Sequence, residues 1–322
     1  MLASMRQLSL ILAALAMPLA ARAAQLPPVT AQVTSGTVDV PPGNRSTLHL
    51  LPPLPANHTV FVRLALIDTV VEIAPAIKYR AWTFNGIVPG PVIHARVGDR
   101  IDVTLTNKAS MGHSIDFHAA LAPPNVAYQT IQPGQTLHFS WVASSPGAFL
   151  YHCGTPPVLM HISNGMYGAI IVDPPGGWGP AANSYVFVQS EFYPLKVDGT
   201  DEYQGDFSKM QSGIADVVDF NGMALQYMRK PLPISVSKRV RVFVVNAGPS
   251  HFSAFHVVGT ILQRSYADGN PKNLFIGLQT LAIPPGGGAV AEFTVPQAGN
   301  YPFVTHAFGD ADAGAMGIFA AK

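Results

Sequence analysis

The feature that most constrains this chain is that its second half repeats its first. Four motif pairs occur in the same order in both halves: FNG (84–86 and 220–222), DRIDVTLTNKA with KRVRVFVVNAG (99–109 and 238–248), HSIDFH with HFSAFH (113–118 and 251–256), and FLYHCG with FVTHAFG (149–154 and 303–309). This alignment sets His152 against His306 and Cys153 against Ala307. It predicts two copies of one fold in tandem.

Each half consists of short runs in which apolar and polar residues alternate, separated by turn residues, and the chain contains 29 Gly and 29 Pro. That pattern is typical of antiparallel strands, and the sequence has no long stretch with helical periodicity and caps. The chain is therefore predicted to be all-β, with two tandem Greek-key β-sandwich or barrel domains at residues 46–175 and 183–322. We expect a Pro/Gly-rich connection at 173–182 and an irregular arm at 24–45.

Residues 1–23 have the pattern of a cleaved secretory signal. Arg6 gives a positive start, residues 8–20 are apolar, and the tripeptide ARA at 21–23 supplies small residues before the expected cleavage. We expect a periplasmic protein without a membrane span, because no later apolar run is long enough for one.

The chain has 19 basic and 18 acidic residues; without the two leader arginines the balance is 17 − 18 = −1, so no nucleic-acid surface is expected.

Cys153 is the only cysteine, so it cannot form a disulfide within the chain. It is a buried apolar thiol, a reactive group or a metal ligand. The spacing favours a ligand, because His161 and Met166 follow in the same segment and His113 lies in an earlier strand. Two imidazoles, one thiolate and a weak thioether form the blue-copper electron-transfer set. Met160 competes as the axial ligand; Met166 is preferred because Met160 directly precedes His161.

Strand geometry predicts a second ligand group on the opposite face. Successive side chains of a strand point to opposite faces, so His152 faces away from Cys153, and Asp116 shares a face with His118. We expect Asp116, His118 and His152 to form a site of their own. The His152–Cys153 peptide bond would then join two metal sites.

His306, which the alignment pairs with His152, is the expected third imidazole of this second site, and His256 is expected beside it. Three neutral imidazoles with one open position form a catalytic metal site. Zinc would also suit such a set, but zinc cannot accept an electron from a thiolate centre, whereas copper can.

The motifs that carry these residues, HSIDFHAA and YHCGTPPVLMHISNGMYGAIIVD, resemble those of copper-containing nitrite reductases, whose subunits contain two cupredoxin domains. The resemblance extends over residues 79–317, and the step from Cys153 to His161 is similar to the group with the shorter type 1 ligand loop. Two departures lie near the expected substrate pocket: the short acidic segment AFGDADAGAMG after His306, and Val258, where isoleucine is common.

The resemblance implies two coppers per subunit. The implied type 1 copper ligands are His113, Cys153, His161 and Met166. The implied type 2 copper ligands are His118, His152 and His306. The family's catalytic pair corresponds to Asp116 and His256.

A homotrimer is also implied, with the type 2 copper between neighbouring subunits, although sequence alone does not decide whether His306 serves its own chain. The implied reaction reduces nitrite to nitric oxide with an electron from a cupredoxin or a cytochrome c.

Two other functions are considered. A laccase-like multicopper oxidase needs a trinuclear cluster, normally held by four His-x-His pairs, and this chain has no His-x-His. A two-copper relative acting on another small substrate such as dioxygen remains an alternative. A pure electron-transfer or copper-storage protein would need only the type 1 ligands, so one copper per chain would favour it and two would favour the enzyme.

Overall fold

The computed structural model describes residues 26–322, so the expected signal peptide at 1–23 lies outside the described residues. The strands are β1 (Ala31–Ser35), β2 (Thr59–Ala74), β3 (Ile77–Phe84), β4 (Ile93–Arg96), β5 (Arg100–Asn107), β6 (Asp116–Phe117), β7 (Gln135–Val142), β8 (Gly147–His152), β9 (Tyr167–Asp173), β10 (Asn183–Phe192), β11 (Pro194–Lys196), β12 (Glu202–Gly205), β13 (Val217–Phe220), β14 (Leu232–Ile234), β15 (Val240–Gly248), β16 (Ser253–Val257), β17 (Leu262–Ala267), β18 (Leu274–Leu278), β19 (Thr280–Ile283), β20 (Gly288–Phe293), β21 (Gly299–Thr305) and β22 (Met316–Ala321). The helices are short: α1 (Pro124–Ala127), α2 (Val158–Ser163), α3 (Phe207–Ser212), α4 (Gln226–Arg229) and α5 (Phe308–Asp312). None of the helices among residues 26–322 has the length and apolar character needed to cross a membrane.

The strands form two sandwiches, as predicted for an all-β chain with two cupredoxin-like domains. The first consists of a seven-stranded sheet, β1-β7-β5-β2-β3-β12-β11, and a four-stranded sheet, β4-β9-β8-β6. The second consists of a six-stranded sheet, β13-β10-β15-β20-β17-β18, and a five-stranded sheet, β14-β22-β21-β16-β19. Alternate residues of both sheets of a sandwich enter one buried apolar cluster, which explains the period-2 pattern of the sequence.

The topology of the second half repeats that of the first. Strand β2 runs parallel to β5, and β10 runs parallel to β15. The FNG repeat has a structural reason: Asn85 and Asn221 have positive φ angles of 59° and 63°. The Oδ1 atom of Asn85 accepts the Ala65 N–H, and that of Asn221 accepts the Val188 N–H, both at 2.7 Å. Each asparagine therefore ties a turn to the strand beside it, since asparagine tolerates the left-handed region.

Two parts of the chain depart from the expected organisation. The arm expected at 24–45 is not wholly irregular, because the alternating segment Ala31–Ser35 forms β1 and pairs antiparallel with β7. Strand β12, from the second half of the sequence, pairs parallel with β3 and extends the first sandwich, with Tyr203 opposite Tyr79. The two halves therefore share a sheet as well as a buried apolar cluster.

Hydrogen-bond register corrects the sequence alignment around the histidines. Asn107, at the end of β5, donates from Nδ2 to the Met111 carbonyl at 2.8 Å, and Asn246, at the end of β15, donates to the His251 carbonyl at 2.8 Å. His251 is therefore equivalent to Met111 and not to His113. The predicted alignment is two residues out of register here, because it matched identical histidines, whereas the hydrogen bonds of the two asparagine side chains show which residues are structurally equivalent.

The same shift applies on the facing strands. Asp116 lies directly opposite His152 on β6 and β8, and His256 lies directly opposite Val304 on β16 and β21. With the two-residue shift set by Asn107 and Asn246, Asp116 and His256 occupy equivalent positions in the two halves. The predicted pairing of His152 with His306 is wrong in register.

The two FNG glycines give a test of the contact between the halves. Gly222 and Gly86 have φ angles of +76° and +74°, but a Cβ on Gly222 would lie 2.1 Å from the Val88 carbonyl oxygen, whereas a Cβ on Gly86 would meet nothing within 4 Å. Gly86→Ala should cost about 1 kcal/mol of unfolding free energy for the left-handed backbone alone. Gly222→Ala should cost about 1–3 kcal/mol more, because the first half must move away.

Urea unfolding of the copper-free chain would measure both costs. Equal losses for the two variants would contradict the close contact between the turn at Gly222 and the first half.

Candidate metal centres

The lone thiol lies in a cluster with two imidazoles. Cys153 follows directly after β8, His161 lies in α2, and His113 is held by a bridge to Ile131. The Nδ1 atoms of the two histidines are 3.0 Å apart, and the Sγ atom is 3.2 Å from Nδ1 of His161 and 3.9 Å from Nδ1 of His113. All three side chains are fully buried. The structure therefore brings together three of the four residues predicted to hold a type 1 copper around one point.

Electrostatics prepares these residues to bind a metal. Burial lowers the pKa of His113 and of His161 to about 4 each, so both rings are neutral near pH 7 and carry a lone pair. The Sγ atom accepts the Ser114 backbone N–H at 3.4 Å. Neither Nε2 atom has a hydrogen-bond partner among residues 26–322, which is uncommon for buried polar atoms. Two neutral imidazoles and a sulfur directed at one point fit copper.

The structure also bears on the choice between the two methionines. Met166 is fully buried in the same apolar cluster as Cys153, and its carbonyl accepts the Cys153 N–H at 3.1 Å. Met160 is only half-buried, in α2. Burial beside the thiol favours Met166, as the sequence predicted.

Trp82 also contacts this cluster, although the sequence did not point to it. Its ring lies 4.9 Å from that of His161 and 5.6 Å from that of His113. Its backbone N–H donates to the Asn164 carbonyl just after α2, at 2.9 Å. The only sequence signal was its position two residues before the FNG motif, which does not by itself point to a metal site.

The second predicted group also forms. The ligand atoms of Asp116, His118 and His152 lie within 4.8 Å of one another. Asp116 and His152 face each other because they are paired across β6 and β8, and His118 lies two residues beyond Asp116 on the same face. The strand alternation predicted from the sequence therefore places adjacent residues, His152 and Cys153, in two different clusters.

The ring orientations in this group are set by backbone carbonyls. Nδ1 of His118 donates to the Gly286 carbonyl at 3.1 Å, and Nδ1 of His152 donates to the Cys153 carbonyl at 2.9 Å. Both Nε2 atoms therefore carry lone pairs, yet they are 3.1 Å apart. Burial also lowers the pKa of His152, which disfavours a proton between them. Two lone pairs at this distance fit a bound cation, with the carbonyls fixing the rings as outer partners of a metal site.

His256 and His306 form a separate pair in the second half. Their ring centroids are 5.3 Å apart, and Phe308 packs edge-on against His306 at 4.8 Å. Nδ1 of His256 donates to the Gln279 carbonyl at 2.7 Å, which leaves its Nε2 with the lone pair. Among residues 26–322, neither histidine joins the group of Asp116, His118 and His152 within one chain.

The second half has no counterpart of the thiolate cluster among the described residues. The register places Thr305 where the first half has Cys153. The Thr305 hydroxyl accepts the Ala254 N–H at 3.0 Å, just as the thiol accepts the Ser114 N–H. A hydroxyl therefore fills the position of the sulfur, and hydroxyl groups are poor copper ligands compared with thiolate.

Two tandem sandwiches with a His–Cys–His cluster in the first define a two-domain cupredoxin copper protein. The sequence model of a family described as "Multicopper oxidase" matches residues 68–177. The copper-containing nitrite reductase of Neisseria gonorrhoeae is 35% identical over 296 residues, which cover 90% of this chain and 73% of that protein.

Solved structures of copper-containing nitrite reductases are also similar to this chain. The copper nitrite reductase of Nitrosomonas europaea superposes with a TM-score of 0.76 at 36% identity, covering 82% of this chain and 94% of that one. The Cu-containing nitrite reductase of Thermus scotoductus SA-01 gives 0.74 at 32% identity, covering 82% and 62%. The chain belongs to the family of copper-containing nitrite reductases.

The two clusters should lose copper independently. Copper-loaded Cys153→Ser is expected to lose the strong visible absorption of thiolate-bound copper and one ion per chain, because the sulfur belongs to only one group. His118→Ala should keep the absorption and lose the other ion. Visible spectra with metal analysis check this, and the loss of both ions in either variant would contradict two separate centres.

Proposed function

We propose that this protein reduces nitrite to nitric oxide in the bacterial periplasm, with one electron from a cupredoxin or a cytochrome c. The observation that carries the proposal is that Cys153 belongs to the thiolate cluster and His152 to the imidazole cluster, so one peptide bond connects the two. Family membership supports a copper enzyme and nitrite as its substrate. The leader pattern at residues 1–23 supports export.

The reaction consumes nitrite, one electron and two protons and yields nitric oxide and water. Copper, when bound, supplies a one-electron carrier at the thiolate cluster, held by His113, Cys153, His161 and Met166, and a Lewis acid for the substrate at the imidazole cluster, held by His118, His152 and His306. The chain itself must then provide an electron route and two protons at the imidazole cluster. The His152–Cys153 peptide is the shortest covalent route between the clusters.

Asp116 and His256 are the proton carriers in this proposal. The Asp116 carboxylate is half-buried, and its oxygen lies within 4.8 Å of the ligand atoms of His118 and His152, so it can hydrogen-bond an oxygen of a small anion held there. His256 donates from Nδ1 to the Gln279 carbonyl, so its Nε2 is the atom that takes up and releases a proton. One group from each half supplies one proton.

The assembly is proposed to be a homotrimer in which His118 and His152 of one subunit face His306 and His256 of its neighbour. Within one described chain the two histidine pairs do not form a single group, and two imidazoles alone leave a catalytic metal one ligand short. Val258 and Phe308, next to the second pair, are exposed apolar side chains of the kind that subunit contacts cover.

A second candidate is an oxidase related to nitrite reductases that acts on another small substrate such as dioxygen. The family description matched at residues 68–177 favours it. The absence of any His-x-His pair from the sequence disfavours a laccase-type cluster. Anaerobic formation of nitric oxide from nitrite by the copper-loaded protein with a reduced donor decides between the two.

Replacing Asp116 with Asn should leave both coppers bound and lower turnover of nitrite about 100-fold, because the amide cannot carry the proton. Asp102→Asn is the matched control, since Asp102 lies on β5 beside Arg100 at 3.3 Å and outside both clusters. Steady-state rates at equal copper content give the comparison. Equal turnover in the two variants would remove Asp116 from the mechanism.

Mixed assemblies test the shared site. His118→Ala and His306→Ala should each lack activity alone, because each lacks one side of every site. When the two variants are unfolded and reassembled together, about a quarter of the interfaces should combine two intact sides and recover activity. No recovery, with mixed trimers demonstrated by mass, would mean that each chain completes its own site.

A further inference from the structure

His251 lies in the loop between β15 and β16, and both of its ring nitrogens face hydrogen-bond acceptors. Nδ1 is 2.8 Å from the Asp310 Oδ1 atom, and Nε2 is 2.7 Å from the Gly213 carbonyl oxygen. A carbonyl oxygen and an ionised carboxylate can only accept, so both ring nitrogens must donate. The geometry is that of an imidazolium.

The charged groups facing this ring favour the imidazolium. Glu191 on β10 accepts the His251 backbone N–H at 2.6 Å and the Tyr193 hydroxyl at 2.5 Å, and Asp310 on α5 faces Nδ1. Burial opposes the charge, but the Gly213 carbonyl, Glu191 and Asp310 outweigh it and raise the pKa of His251. The ring is half-buried, so solvent screens these interactions only in part.

The imidazolium connects three elements that do not otherwise share a hydrogen-bonded side chain in the described chain. Gly213 ends α3, which packs against α2, the helix that carries His161. Asp310 lies in α5, which begins two residues after His306 and carries Phe308 against the His306 ring. Helix α5 has only five residues, and no described side chain caps its N-terminus. A helix of this length is not stable by itself, so tertiary contacts must hold it.

We propose that His251, as an imidazolium held between Asp310 and the Gly213 carbonyl, is a positioning residue that fixes α5 and thereby the His306 and Phe308 side chains of the second-half histidine pair. This inference rests on the proposed function only in that His306 ligates the type 2 copper. His251 touches neither substrate nor ligand in this account; it acts through Asp310. The acidic segment after His306, a departure from the family pattern, thus has a structural role.

The first measurement needs neither copper nor turnover. Nitrogen-15 NMR of the histidine rings in the full mature chain, copper-free, should show both His251 nitrogens protonated at pH 6, because the acceptors facing both nitrogens raise the pKa of the ring. Because the pKa of His251 is raised in the folded state, the hydrogen bonds of the imidazolium to Asp310 and to the Gly213 carbonyl stabilise the fold fully below the ordinary histidine pKa of about 6.5. This stabilisation is lost as the pH rises through the pKa of His251 in the folded state. A neutral His251 ring at pH 6 would overturn the proposal.

The second measurement compares Asp310→Asn with Asp312→Asn, which removes the same charge from the same helix at an exposed position. Asp310→Asn should retain type 2 copper about tenfold less tightly and change its EPR hyperfine splitting, with the thiolate absorption unchanged. The pH above which type 2 copper is lost should be lower in Asp310→Asn than in the unmodified protein, and it should be unchanged in Asp312→Asn. Asp310→Glu should restore much of the binding, since the carboxylate is kept.

Identical copper affinity, EPR spectrum and pH profile in Asp310→Asn and Asp312→Asn would contradict the proposal. Should Asp310→Asn fail to fold, the NMR of the unmodified chain and the Asp310→Glu variant still decide the matter. A protein that binds two coppers but does not reduce nitrite would refute the proposed function. The comparison of copper binding in Asp310→Asn and Asp312→Asn would still test the positioning role of His251.

Discussion

The whole arrangement depends on the alternation of side chains at the end of β8. Cys153 enters the buried cluster of the first sandwich, and His152 points to the opposite face, where Asp116 is its partner on β6. A strand cannot direct two adjacent side chains to the same face, so adjacency in the sequence enforces separation in space. Two clusters of possible metal ligands with different chemistry are thereby placed one residue apart.

Backbone carbonyls and burial prepare both environments. Carbonyl oxygens of Gly286 and Cys153 fix the tautomers of His118 and His152, so both Nε2 atoms are directed at the same point. Burial keeps His113 and His161 neutral by lowering the pKa of each to about 4. Rings that are already oriented and deprotonated need little rearrangement when a metal binds, which is how outer contacts increase affinity.

The sequence predicted the all-β class, the two halves and the residues that the structure clusters, which are His113, Cys153 and His161 in one group and Asp116, His118 and His152 in the other. The lone cysteine and the period-2 alternation carry that information directly. The alignment of the histidine motifs was wrong by two residues, because identical letters at His251 and His113 concealed the register that the Asn246 and Asn107 side chains impose. No local pattern could show that Thr305 replaces the thiol.

The roles of Trp82, His251 and Asp310 were also beyond a reading of the sequence. Trp82 approaches the thiolate cluster from β3, across the sandwich, and Asp310 meets His251 over a separation of 59 residues. Such contacts depend on how the sheets cross and not on local spacing. Within residues 26–322 of one chain, His256 and His306 do not join the group of Asp116, His118 and His152, so the expected place of His306 among these ligands stays a prediction.

Anomalous diffraction at the copper edge, from crystals of the copper-loaded protein, tests the central claim most directly. Two copper peaks per chain are expected. One lies among His113, Cys153, His161 and Met166, and the other lies among His118 and His152 with His306 of an adjacent subunit. A single peak, or a second peak without any contact to His152, would contradict it.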